Sequence, residues 1–237
     1  MRRGTLLLLV ITLLLTGCAG TDGFPRDPEG TLDRVRGGVL KAGVTEEDPW
    51  VKLEGGEPTG VEVTLVERFA ESIGARVEWV DSSEAELARA LRFRELDLAV
   101  GGFDTKTPWT AEAAFTRPYF VTYVVVGVPR DQPVPDDIAG LRVAAETGTE
   151  TAGLLNKTDA VVELVDSLDQ AKGRPAAVDE WLLDDLGLHA TDVRLSKVSH
   201  VMAVPLGENG FEVELERFLL RLPSEEYTAL LDREGKP

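Results

Sequence analysis

The sequence predicts an α/β fold in two lobes. Apolar and amphipathic segments alternate in the order β-α-β-α-β up to residue 101, and a second α/β series begins after a proline- and aspartate-rich turn at 129–137. This alternation favours parallel sheets with crossover helices. Each series has about a hundred residues or fewer, the size of a small domain. Since open parallel sheets bind ligands beyond the carboxyl ends of their strands, two facing lobes would form a ligand cleft there.

Glycine and capping signals mark the elements of the first series. Apolar side chains after Gly60 recur with helical spacing, and Gly74 is a natural stop for that helix. Ser83 and Glu86 form a capping box, which predicts the start of the next helix. The predicted elements are, in order, a strand at 39–44, a helix from 60 to 74, a strand at 76–80, a helix from 83 and a strand at 96–101.

The second series follows a long β-branched strand at 119–128. Its predicted elements are a strand at 141–145, a helix at 149–155, strands at 161–165 and 176–178, a helix at 180–186 and a strand at 200–205. Two helical patterns then close the chain on either side of Pro223, which cannot continue a helix interior.

Composition narrows the class of protein and of partner. The chain has 237 residues, of which 43% are apolar, enough for a buried core. Its net charge is −17, or −19 without Arg2 and Arg3, and such a surface repels nucleic acid and anionic headgroups. The single cysteine allows no internal disulfide. His189 and His200 lack metal-ligand spacing, so no metal or other cofactor is expected.

The amino terminus predicts export and a lipid anchor. Arg2 and Arg3 precede an apolar run from 6 to 15 that is too short to span a bilayer comfortably. The join Leu-Thr-Gly-Cys that ends at Cys18 resembles the lipobox of bacterial lipoproteins. It implies a signal peptide at 1–17, acylation of Cys18 with palmitate-type chains and a flexible linker at 18–30. An ordinary secretory signal with a chance cysteine is the alternative.

Short motifs along most of the chain carry a family resemblance. They are Gly38–Val44, Pro49-Trp50, Gly60–Val63, Leu96–Phe103, Phe115–Tyr119, Gly148-Thr149, and the closing pattern of Tyr227, Leu230 and Leu231. By their order and spacing, residues 36–233 resemble the extracellular solute-binding proteins of polar amino-acid ABC importers, solute-binding family 3.

The resemblance implies a periplasmic-binding-protein-like fold of type II with two crossover strands. Lobe one would comprise 31–124 and 199–237, and lobe two 125–198. Such lobes close on a small polar solute, and the closed form docks on an ABC permease. The protein would be a monomer at the extracytoplasmic face of the cell membrane, in contact with the membrane through its lipid anchor only.

The chain departs from the family at the residues that bind an amino acid's carboxylate. Trp109 stands where the family has an arginine that grips the carboxylate, and Asp104 replaces a hydroxyl residue that helps to bind it. In the second lobe, the Thr-Thr pair at a helix N-terminus becomes Thr149 and Glu150. Each change also has a purely structural interpretation: Trp109 could pack on its own loop, and Glu150 could cap a helix.

Other candidate positions add acids and an aromatic ring. Acids at 46–48 replace an aromatic wall, and Asp179 is the candidate for the family's ammonium-binding aspartate. Trp50 occupies a mainly structural aromatic position. The candidate ligand-binding residues are Glu47, Trp50, Gly102, Asp104, Trp109, Thr149, Glu150 and Asp179.

Together these changes favour a cationic solute. Carboxylates in a closing cleft repel one another unless a cation joins them, and an indole face attracts a cation. The sequence therefore predicts a non-enzymatic receptor for a small, amino-acid-like cation. The alternatives are a cleft enzyme of the cyclohexadienyl dehydratase type, for which no nucleophile–base pair is evident, and an extracytoplasmic sensor or interaction module.

Overall fold

A computed structural model of the protein describes residues 25–53 and 55–235. The predicted signal peptide, Cys18 and the first part of the predicted linker lie outside the described residues. In chain order the elements are α1 (Thr31–Val35), β1 (Val39–Val44), α2 (Val61–Ser72), β2 (Arg76–Asp81), α3 (Glu84–Arg92), β3 (Leu98–Val100), β4 (Ala113–Phe115), β5 (Phe120–Pro129), β6 (Arg142–Glu146), α4 (Glu150–Leu155), β7 (Val161–Val165), β8 (Ala176–Asp179), β9 (Leu188–His200), β10 (Ala203–Pro205), α5 (Asn209–Leu219) and α6 (Ser224–Glu234).

Two five-stranded sheets form the two lobes and confirm the predicted α/β class. The first sheet has the order β2-β1-β3-β10-β4 and the second the order β7-β6-β8-β5-β9. In each sheet three neighbouring strands are parallel, β2-β1-β3 in the first and β7-β6-β8 in the second, and the strands beyond them are antiparallel. In open sheets of this kind, ligands bind beyond the carboxyl ends of the parallel strands, so a site is expected at that edge of each sheet.

Local signals in the sequence explain the helices of lobe one. The apolar face of α2 is buried through Val66, Phe69 and Ala70, and the helix ends just before Gly74, whose φ of 69° suits glycine. The Ser83 hydroxyl accepts a hydrogen bond from the Glu86 amide at 3.4 Å, which is the predicted cap of α3. Burial of these apolar faces against the sheet provides the core of the lobe.

The two longest strands connect the lobes. β5 and β9 pair antiparallel along most of their length, with Phe120 opposite His200 at the end next to lobe one. The ladder is irregular between Val124 and Val125 and again between Val125 and Gly127. The crossover strands therefore change register beside the cleft.

Four elements differ from the predictions. β9 lies in a stretch for which no strand was predicted. It was missed because it is an edge strand with half-exposed polar residues and has no continuous apolar run. The predicted helix at 180–186 is only a 3-10 turn, Glu180–Leu182, followed by Gly187 at a φ of 67°. Short α1 and β4 were not predicted, since five- and three-residue elements carry little periodic signal.

The chain before α1 is bound to lobe one. The Asp27 carboxylate accepts hydrogen bonds from the Leu32 and Phe211 amides, both at 2.9 Å. The buried Glu208 carboxylate accepts from the amides of Glu29 at 3.2 Å and Thr31 at 3.1 Å. Residues 27–31 are thus held between α1 and α5. Among the described residues, none of the helices is long and apolar enough to cross a membrane.

Candidate functional site

A cavity of about 560 Å³ lies between the two lobes. Lobe one contributes the segment after β1 and the residues that follow β3, while lobe two contributes the end of β8 and the start of α4. The crossover strands β5 and β9 supply Thr122, Val124, Ser196, Val198 and His200 to its wall. We call it the interlobe cavity. Its position beyond the carboxyl ends of parallel strands is the one expected of a ligand site in this type of fold.

Six of the eight candidate residues line the interlobe cavity. They are Glu47, Trp50, Gly102, Asp104, Glu150 and Asp179. Their contact with a ligand stays a prediction.

Trp109 and Thr149 do not line the cavity. The Trp109 indole packs against the core cluster that includes Phe103 and Ala113, and its Nε1 donates to Glu84 Oε2 at 3.0 Å. Thr149 caps α4, since its hydroxyl accepts from the Ala152 amide at 3.2 Å. Both side chains thus have local structural partners.

Carboxylates dominate the charge of the interlobe cavity. Of the described residues that line it, six are acidic, namely Glu47, Asp48, Glu84, Asp104, Glu150 and Asp179, and one is a lysine, Lys106. Burial raises the pKa of Asp179 to about 6, with help from the charges of Glu180 and Glu47. Burial also raises the pKa of Glu47, and the neighbouring Glu84 and Asp48 add to that shift. Carboxylates that lie this close together repel one another.

Trp50 and His200 form an aromatic wall. The two rings lie 3.8 Å apart between centroids with an interplanar angle of 33°. His200 Nε2 lies 2.8 Å from the Thr122 hydroxyl oxygen, and burial lowers the pKa of the ring to about 3, so the imidazole is neutral at pH 7. His200 was not predicted as a cavity residue, and its location near a predicted crossover strand was the available signal.

A buried carboxylate supports the floor of the cavity. Glu62 is fully buried, and its Oε2 accepts from the amides of Gly101 and Gly102, both at 2.8 Å. Its Oε1 accepts from the Tyr119 hydroxyl at 2.6 Å. Burial raises the pKa of Glu62 to about 7 even though these three donors favour the ionised form. Sequence reasoning missed this residue; an acid between two valines at the start of an apolar helix was the available signal.

Trp181 joins the lobes at the edge of the cavity. It follows β8 in lobe two, yet it packs against the core of lobe one and meets Trp50 edge-on at 6.2 Å. Trp181 is thus, after His200, the second aromatic ring of the cavity wall that was not predicted, and it lies where the lobes touch.

The fold and the cavity define a two-lobed solute-binding protein. A family model for bacterial extracellular solute-binding proteins, family 3, matches residues 40–234, and the chain belongs to this family. Proteins of the family are extracytoplasmic, bind small amino-acid-like solutes and hand them to a permease.

Solved structures of similar fold cover nearly all of the described chain. The L-cystine solute receptor of Neisseria gonorrhoeae, unliganded and open, superposes with a TM-score of 0.69 at 18% identity, covering 86% of this chain and 96% of that one. An ancestral cationic amino acid solute binding protein gives a TM-score of 0.67 at 17% identity, covering 87% and 100%. A mutant of ArgBP from T. maritima gives 0.53 at 22%, covering 86% and 99%. At these identities the likeness establishes the fold. No curated protein sequence matches the chain.

Proposed function

We propose that this protein is the lipid-anchored receptor of an ABC importer and that it captures a small cationic solute without chemical turnover. The observation that carries the proposal is the charge of the interlobe cavity, where six carboxylates face a single lysine among the described residues. A bound cation would lie between carboxylates from both lobes, with Asp104 on lobe one and Glu150 and Asp179 on lobe two.

A cation would relieve the repulsion between these groups. Moving carboxylates out of water raises their pKa unless an opposite charge lies within reach, and Asp179 shows such a rise. The half-buried Trp181 indole adds an attraction of roughly 0.5–2 kcal/mol for a cation placed over its ring, whereas the buried Trp50 ring lies against His200. Closure of the lobes on a cation is therefore favoured over closure on a neutral solute.

A carboxylate-bearing solute has no comparable partner. None of the described residues that line the cavity is an arginine. Arg117, the nearest alternative in the sequence, donates from its Nε to Glu216 Oε2 at 3.0 Å and is not part of the cavity wall. The loss of a bidentate charged contact costs more than the loss of a neutral hydrogen bond. Zwitterions held by their carboxylate should bind poorly.

Calorimetry with a panel of solutes tests the proposal. We expect simple amines, guanidinium compounds and amides of basic amino acids to bind more tightly than glutamate or neutral amino acids, with affinity falling as salt rises. Asp104→Asn should weaken cation binding about tenfold, the order of magnitude of one lost hydrogen bond to a charged group. Asp192→Asn is the matched control, because Asp192 is exposed on β9 and lines neither the interlobe cavity nor its neighbour.

Tight binding of glutamate would contradict the proposal, and so would a neutral amino acid whose affinity is unaffected by Asp104→Asn. Consumption of a bound solute would instead favour the enzyme alternative.

A further inference from the structure

A second chamber of about 380 Å³ adjoins the interlobe cavity. Asp48, Asp179 and Trp181 belong to the walls of both, so the two spaces meet at these three residues. We call the second space the side chamber. Residues of both lobes line it: Pro49 and Gly235 come from lobe one, and most of the rest come from lobe two.

The side chamber combines apolar side chains with carboxylates. Leu168, Leu182 and Leu186 give it an apolar surface, and Glu146 and Asp185 add acids beyond those that it shares with the interlobe cavity. Its one lysine, Lys172, already pairs with Asp169, with Nζ and Oδ1 2.8 Å apart. Among the described residues, neither the Glu146 nor the Asp185 carboxylate has a hydrogen-bond or ion-pair partner. Lys172 also lies within electrostatic reach of Asp185, so its single positive charge is shared among several acids and the side chamber has a net negative charge.

A buried, unpartnered nitrogen in the wall of the interlobe cavity points independently to a polar ligand. His200 is 2% exposed and lines that cavity, and its Nδ1 has no hydrogen-bond partner. When Nε2–H donates to Thr122, Nδ1 presents a lone pair. A buried polar atom without a partner is costly, and an ammonium group is the kind of donor that would satisfy it.

We infer that the cleft takes an elongated solute with an ammonium group at each end of an alkyl chain, that is, a linear diamine or polyamine. This inference rests on the proposed function and specifies its solute. One ammonium group would lie in the interlobe cavity, beside Asp104 and Glu150. The chain would pass the Trp181 indole, and the second ammonium group would lie in the side chamber, beside Glu146 and Asp185.

The shape and charge of the cleft favour this class over shorter or zwitterionic cations. A solute with one positive charge would bring no cation to the acids of the side chamber. A basic amino acid that reached both spaces would place its carboxylate among acids at one end. An alkyl chain between two charges matches the acids present in each space, the Trp181 indole that both share and the leucines of the side chamber.

A matched series of amines tests the inference. We compare α,ω-diaminoalkanes of three to eight carbons, and then linear triamines, with amino alcohols of the same length, in which a hydroxyl replaces one ammonium group. Calorimetry should show one preferred length at which the diamine binds about tenfold or more tightly than the amino alcohol. The double variant Glu146→Gln, Asp185→Asn should reduce that ratio at least about threefold. Asp192→Asn should leave it unchanged.

The outcomes separate this inference from the proposed function. If amines bind but the diamine gains nothing over the amino alcohol, or the double variant leaves the ratio intact, the diamine inference fails and cation capture stands. If no amine binds while glutamate or neutral amino acids do, both fail. Thermal melts of each variant establish that it is folded, and the side-chamber substitutions lie at exposed or half-exposed positions.

Discussion

Asp179 lies in the wall shared by the interlobe cavity and the side chamber, and its protonation should control cation affinity. Burial raises the pKa of this carboxyl to about 6, with further contributions from Glu180 and Glu47. Below that pH the group is mostly neutral and supplies no counter-charge. A bound cation favours the ionised form and lowers this pKa, so binding at pH 6 should release a proton. Affinity should therefore rise between pH 5 and pH 7.

Calorimetry at pH 6 in two buffers of different ionisation enthalpy measures that proton directly. The pKa of Glu47 is raised as well, so Glu47 also contributes to the pH dependence of cation affinity. The contribution of Asp179 is therefore read from the difference in pH dependence between the wild type and Asp179→Asn. We expect the variant to bind about tenfold more weakly at pH 7 and to show a flatter pH profile. Identical profiles in the two proteins would exclude Asp179 as a counter-charge.

The sequence identified most of the acidic residues of the cavity but not its aromatic and buried supports. Asp104, Glu150 and Asp179 follow strand ends or helix starts, so a topological argument could place them at the cleft. Trp109 lies six residues before Phe115, yet its indole turns to Glu84 and the core, which spacing alone could not reveal. Trp181 was missed because its position depends on contact between the lobes, a long-range feature that no local pattern encodes.

At the scale of elements, Glu62 fixes the first turn of α2 to the end of β3. Its carboxylate satisfies the amides of Gly101 and Gly102 and the hydroxyl of Tyr119. Glu62→Gln replaces one acceptor oxygen by a donor and leaves at least one buried donor unsatisfied. We expect the free energy of unfolding to fall by about 1–3 kcal/mol. Urea unfolding measures this change.

The matched control is Glu67→Gln, because Glu67 is exposed on the same helix. A surface change of this kind usually alters stability by no more than about 0.5 kcal/mol. Equal stabilities of the two variants would show that the Glu62 carboxylate does not support the cavity floor. Cation affinity of the folded Glu62→Gln protein should also fall, since Gly102 lines the cavity and depends on this bond for its position.

Elements with strong periodic or apolar signals were predicted closely, and those defined by pairing were not. β1 and β7 have the predicted bounds: the apolar residues of β1 are buried or half-buried, and the β-branched residues of β7 favour a strand even though Val161 and Leu164 are exposed. β9 was missed because its register is set by its partner β5, whose apolar run is evident, whereas its own residues alternate with lysine, serine and aspartate. The strand conformation of β9 therefore depends on pairing with a distant segment, which the local sequence does not reveal.

At the scale of the whole molecule, the proposed lipid anchor at Cys18 should decide where the protein is found. We expect full-length protein expressed in a bacterium to fractionate with membranes and Cys18→Ser protein to be released, because each buried CH₂ of an acyl chain contributes about 0.8 kcal/mol. Thr16→Ser keeps a small residue at the join and is the control. Mass spectrometry of the mature amino terminus identifies the acylated cysteine. Equal membrane retention of Cys18→Ser would rule out this anchor.

The hydrogen bonds of Asp27 and Glu208 have a consequence for how an anchored receptor is presented. Because these bonds hold residues 27–31 on lobe one, an anchor at Cys18 would lie only about seven residues before the first described residue, Pro25. Seven residues reach about 25 Å at full extension, against a radius of gyration of about 17 Å for a folded domain of this size. A receptor tethered in this way would stay within about one molecular diameter of the lipid surface. The face formed by α1 and α5 would be turned towards that surface, which restricts the orientations available to the rest of the molecule.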